Sequence, residues 1–166
     1  IRISPDTVFD LGSLSKQFTA LAVLSLVLNK KIDLNDHLSK FFKRFPRYAD
    51  SITIEDLLHH TSALPSYTDI YVASRRAAED WYDRALAKPD HWYPNMETRR
   101  RKELTNKDVV QWIATQKLLP HPPDTEFEYS NSGYVVLAEL VAKLTGQRLN
   151  DLLADTFFHD MEMKET

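Results

Sequence analysis

The stretch from Ser13 to Asn29 constrains this chain more than any other. Leu14, Phe18, Leu21, Ala22 and Leu28 recur at helical spacing, and Val23, Leu24 and Val27 widen the apolar face. A helix apolar this far round belongs at the centre of a core. Its longest apolar run, Phe18 to Leu28, is broken by Thr19 and Ser25. It falls short of the about 20 residues that a bilayer crossing needs. Lys30 and Lys31 flank it and no small-residue cleavage pattern follows, so it does not read as a signal peptide.

Helical patterning continues beyond it. Thr53 reads as an N-cap, with Glu55 and Asp56 in the first turn of a short helix ending near His60. Residues 62–66 read as a turn, and residues 69–87 as a helix closed by Pro89. Thr105 caps a helix to about Gln116, and Pro120, Pro122 and Pro123 exclude regular helix up to Thr125. Residues 134–144 are helical with Gly146 as their stop, and a last helix spans residues 149–158. Extended candidates are few: residues 2–9 and 126–129, neither with a hairpin partner. Pattern alone predicts one mostly helical domain, which suits 166 residues that are 43% hydrophobic and 27% charged. A balance of 21 Lys+Arg against 24 Asp+Glu, net -3, argues against a nucleic-acid binder. The absence of cysteine excludes disulfides, thiolate metal sites and a cysteine nucleophile, and leaves the redox compartment open. Only three glycines are present, about a quarter of the usual share.

Two short motifs can carry chemistry. Ser13 and Lys16 form a Ser-x-x-Lys at the start of the apolar helix, a spacing that puts both on one face. A serine hydroxyl attacks well only when a base takes its proton, and a lysine with a lowered pKa can be that base. The helix N-terminus favours an oxyanion forming there. Tyr129 and Asn131 form a Tyr-x-Asn between the Pro-rich loop and the next helix. A tyrosine beside a cationic lysine can act as acid or base, and the asparagine can bond a lysine and a substrate amide together. Each motif alone has a plain alternative: a helix start with a solvated lysine, and a helix cap with an aromatic beside it.

Residues 9–20, Phe-Asp-Leu-Gly-Ser-Leu-Ser-Lys-Gln-Phe-Thr-Ala, closely resemble the active-site segment of the serine β-lactamase and penicillin-binding-protein superfamily. The branch most similar is that of class C β-lactamases, D-alanyl-D-alanine carboxypeptidases and related esterases. Residues 32–36, 52–62, 127–134 and 161–166 resemble the same family in the same order, and residues 71–104 are the least recognisable part. The resemblance implies an α+β family fold of the β-lactamase/transpeptidase type. This chain would be its mostly α-helical N-terminal part, lacking most of the antiparallel sheet. Residues 1–166 would form a single partial domain with 71–104 as a variable insertion. It further implies acyl-enzyme chemistry in which Ser13 is the nucleophile, Lys16 and Tyr129 manage protons, and Asn131 holds Lys16 and the substrate amide. The expected substrate is a β-lactam, an ester or a D-amino-acid peptide.

The family commonly has glycine at the places of Ala63, Asp124 and Glu162, so strain or a shifted turn is expected there. Its third motif, Lys-Thr-Gly or a His-x-Gly variant, lies on a downstream strand that supplies a second oxyanion amide. The sequence runs from Ile1 to Thr166 without that motif and without an initiator Met, as in a processed protein or a piece of a longer one. The expectation is therefore half a site, a central helix with apolar surface exposed, and a partner in the remaining C-terminal part of the same fold. The competing reading is a catalytically incomplete fragment or non-enzymatic interaction module. A helical structural protein with accidental motifs fits poorly with five ordered matches. No metal or organic cofactor is implied. The histidines (His37, His59, His60, His91, His121, His159) show no familiar ligand spacing. Residues 99–102 read as a solvated basic loop, and Trp81, Tyr82, Trp92 and Tyr93 as packing residues. By resemblance the location is periplasmic or secreted, with the cytoplasm left open.

Overall fold

Local chemistry sets the helix boundaries. In the computed structural model, which describes residues 3, 4, 7, 9–68 and 105–163, a 3-10 turn at Gly12–Ser15 runs into α1, Lys16–Leu28. The short helix α2, Leu38–Phe41, and a 3-10 turn at Arg47–Asp50 lead to α3, Ile54–His59. Thr53 starts α3 with a reciprocal capping box: its Oγ1 accepts from Asp56 N at 3.1 Å, and Asp56 Oδ2 accepts from Thr53 N at 2.8 Å. Thr105 does the same with Asp108 for α4, Asn106–Ile113. Next comes α5, Asn131–Thr145, stopped by Gly146 at φ 76°. Last is α6, Leu149–Leu153, which continues as a π-helical turn over Ala154–Phe158.

Helix α5 is the hub, packing on α1, α3, α4 and α6. Its Val136, Leu137, Leu140 and Val141 are all fully buried. Gly133 lets α3 approach: a Cβ there would stand 3.4 Å from the Leu57 carbonyl oxygen. Phe18 of α1 meets Phe158 edge-on at 5.1 Å between centroids and closes one end of the core.

The mostly helical expectation holds among the described residues, where strand pairing amounts to an isolated antiparallel bridge between His37 and Thr53. Two expectations change. The segment 126–129 is not a strand: it pairs with no ladder partner among the described residues, and Glu128 N–H goes instead to the His60 carbonyl at 2.8 Å. Helix α5 begins three residues earlier than its apolar pattern, because Ser130 caps it by accepting from Gly133 N at 3.4 Å. Helix α1 shows the exposed apolar surface expected of it: Thr19, Ala22, Val23 and Leu26 are buried, while Leu21, Leu24 and Leu28 are 37%, 42% and 83% exposed. The helix expected at 69–87, the insertion at 71–104 and half of the extended candidate at 2–9 lie outside the described residues.

Candidate active site

The loop before α1 presents Ser13. Asp10 Oδ1 accepts from Gly12 N at 2.8 Å, Gly12 takes φ 52°, and Ser15 Oγ bonds back to Gly12 O at 2.7 Å. This tight turn leaves Ser13 exposed one helical turn from Lys16, whose Nζ donates to Ser13 Oγ at 3.3 Å. From 116 positions along the chain, the Tyr129 hydroxyl reaches the same Ser13 Oγ at 2.6 Å. Lys16 Nζ also donates to Asn131 Oδ1 at 2.6 Å and stands 4.9 Å over the Tyr129 ring. All four residues singled out by sequence thus meet.

Burial alone would raise the pKa of the Tyr129 phenol. Hydrogen bonding from Lys16 and Ser13, with the lysine's charge, outweighs it and leaves the phenol below its ordinary value. Tyr134 behaves oppositely. Burial, and then Tyr129, push its pKa up, and its hydroxyl donates to the Leu58 carbonyl at 3.1 Å. Two tyrosines in one neighbourhood are therefore poised differently, and only Tyr129 faces the serine.

Sequence reading missed three residues that touch this cluster. Asn131 Nδ2 donates to Thr68 Oγ1 at 2.8 Å, which fixes the amide so that its oxygen faces Lys16. Ser66 Oγ accepts from Asn131 N at 3.1 Å and bonds Thr68 Oγ1 at 2.8 Å. His60 Nδ1 accepts from Ser130 N at 3.1 Å. Ser66 and Thr68 had only a turn-like composition to mark them, and His60 read as a helix-end histidine. Among the described residues, no group of three or more His, Asp or Glu side chains is placed to hold a metal.

Ala63, Asp124 and Glu162 take φ of 55°, 62° and 55°. The turns have kept their left-handed backbone although the residues are not glycine. The loop carrying Ala63 is strapped to the Pro-rich segment by Leu119 N to Ala63 O and Asp124 N to Thr61 O, both at 2.9 Å.

A serine at the mouth of a helix, shared by a lysine and a phenol, thus stands on an α5-centred helical layer. The chain belongs to the Beta-lactamase family, whose sequence model matches residues 1–166. It is 28% identical over 165 residues to penicillin-binding protein 4* of Bacillus subtilis (strain 168), covering 99% of this chain and 31% of that protein. The octameric penicillin-binding protein homologue from Pyrococcus abyssi superposes with a TM-score of 0.71 at 26% identity, over 97% of this chain and 33% of that one. The D-amino acid amidase from Ochrobactrum anthropi SV3, complexed with D-phenylalanine, shares the fold with a TM-score of 0.73 at 24% identity, over 98% of this chain and 45% of that one. The fold is thus the β-lactamase/transpeptidase type, and this chain is a mostly helical part of it. The chain spans about a third of the length of the curated relatives it matches. No helix among the described residues is long and apolar enough to cross a membrane.

Proposed function

We propose that Ser13 is the nucleophile of an acyl-transfer reaction on a β-lactam, an ester or a D-amino-acid amide or peptide. One observation carries this reading: Lys16 Nζ and Tyr129 OH converge on Ser13 Oγ at 3.3 and 2.6 Å. The Ser13 O–H breaks, its proton passes to the Lys16–Tyr129 pair, and Oγ bonds the substrate carbonyl carbon. The tetrahedral oxyanion forms beside the first turn of α1, whose amide groups and positive end favour negative charge. Collapse breaks the bond to the leaving nitrogen or oxygen, which takes the proton held by the pair. Water then repeats the sequence on the acyl-serine and releases the acid. Asn131 uses one Nδ2 proton on Thr68, leaving the other to donate to a substrate carbonyl. The D-amino acid amidase relative favours amides of D-amino acids within this range.

A further part of the same fold completes the site in this reading. It covers the exposed face of α1 and supplies a second oxyanion donor, whose loss costs about 10²–10³ in rate. The competing reading, a non-catalytic module, is favoured by that same open face.

Incubation with a β-lactam and with a fluorophosphonate, followed by intact-mass measurement, separates the two. The proposal expects a covalent adduct on the wild type and none on Ser13→Ala. Folded wild-type protein that takes neither reagent is the non-catalytic module.

A further inference from the structure

His60 ends α3 in the left-handed region, at φ 61°, where bulky residues are uncommon. From there it holds both sides of Tyr129. Its carbonyl accepts from Glu128 N at 2.8 Å, and its Nδ1 accepts from Ser130 N at 3.1 Å. Its ring also lies against the Tyr129 ring, 4.5 Å between centroids at 33°, with Tyr134 at 5.1 Å and Phe127 at 5.9 Å. The amides before and after the phenol-bearing residue therefore both end on one residue distant in sequence, His60.

Accepting an N–H at Nδ1 requires that nitrogen to be unprotonated, so the ring is neutral with its proton on Nε2. The surroundings agree. Burial and then the charge of Lys16 on α1 hold the imidazole below its ordinary pKa. The other titratable neighbours are Tyr129 and Tyr134 from the α5 side, Glu128 of the preceding segment, and Glu55, Asp56 and His59 of its own helix.

We infer that His60 is a positioning residue: its neutral imidazole fixes the Ser130 amide, and with it the Tyr129 phenol, against Ser13 and Lys16. This rests on the acyl-transfer reading above and adds to it a group that does not touch substrate. It explains how a phenol on an irregular segment is held to one place.

His60→Asn tests it. Asparagine tolerates the left-handed backbone and offers Oδ1 where Nδ1 stands, whereas His60→Ala has no acceptor. In the intact protein, two quantities are read: the rate of fluorophosphonate labelling at Ser13, and the ionisation of Tyr129 by ultraviolet difference titration against Tyr129→Phe. His60→Ala should label about tenfold to a hundredfold slower, the size expected for an orphaned part-buried amide. Its Tyr129 should ionise nearer the ordinary tyrosine value. His60→Asn should return labelling to within about threefold of wild type and restore the titration. Should the alanine variant fail to fold, His60→Gln, whose acceptor lies one bond farther out, takes its place. A wild-type Tyr129 titration in His60→Ala, or no difference between the asparagine and acceptor-lacking variants, overturns the inference. If the wild type itself takes no label, the acyl-transfer reading fails, and the Tyr129 titration still decides the role of His60.

Discussion

Glu162 holds φ 55° on an exposed turn, with its N–H bonded to His159 O at 3.1 Å. A left-handed backbone costs an L-residue about 1–2 kcal/mol, and glycine escapes that at an entropic cost of about 0.5–1 kcal/mol. Glu162→Gly should therefore stabilise the protein by about 0.5–1 kcal/mol, read as a higher urea midpoint at unchanged slope. Asp124→Gly should gain less, because aspartate tolerates this region better. At Ala63, which is 1% exposed, glycine would also lose a buried methyl, so the two effects offset. A lower midpoint for Glu162→Gly would contradict the strain assigned to that turn. These positions were legible in sequence only through the family resemblance. No composition rule marks an alanine as a displaced glycine. Ser13 and Lys16 were legible because they sit one turn apart. His60, Ser66 and Thr68 were not, since each reaches the site through a contact spanning more than 60 positions.

Among the elements, α3 depends on one carboxylate. Asp56 is 4% exposed and accepts from Thr53 N, from Thr53 Oγ1 at 2.7 Å and from Thr61 Oγ1 at 3.1 Å. It thereby ties the start of the helix to the residue just past its end, next to His60. Asp56→Ala leaves several part-buried donors without an acceptor and should cost about 2–4 kcal/mol. The exposed cap Thr105→Ala should cost about 1 kcal/mol. Denaturant unfolding of both variants checks the order; equal losses would mean the burial of Asp56 counts for nothing. Both caps were readable in sequence because a capping box is local. The start of α5 was misplaced because Ser130 follows Tyr129 in what reads as a strand, and whether a strand finds a ladder partner is decided by tertiary structure. The open face of α1 was legible through the family resemblance and not through its own pattern. Apolar residues all round a helix state what it can bury, and the neighbours decide what it does bury.

At the scale of the molecule, Leu14 at 62% exposure joins Leu21, Leu24 and Leu28 in a line of leucines at helical spacing. A face of this kind exceeds what isolated surface leucines need by way of explanation, and it marks a surface made to be covered. The chain alone should therefore self-associate as its concentration rises, and Leu24→Lys with Leu28→Lys should return it to monomer in sedimentation velocity. A wild-type chain that stays monomeric at high concentration would show that this face needs no cover. Two of the left-handed residues, Ala63 and Asp124, lie in the strap joining residues 61–63 to 119–124. Alanine, aspartate and glutamate codons each stand one base from a glycine codon. The strained turns at 124 and 162 are therefore separated from relief by single nucleotides, and a randomly mutagenised gene selected for heat resistance would meet the glycine at 162 among its earliest gains.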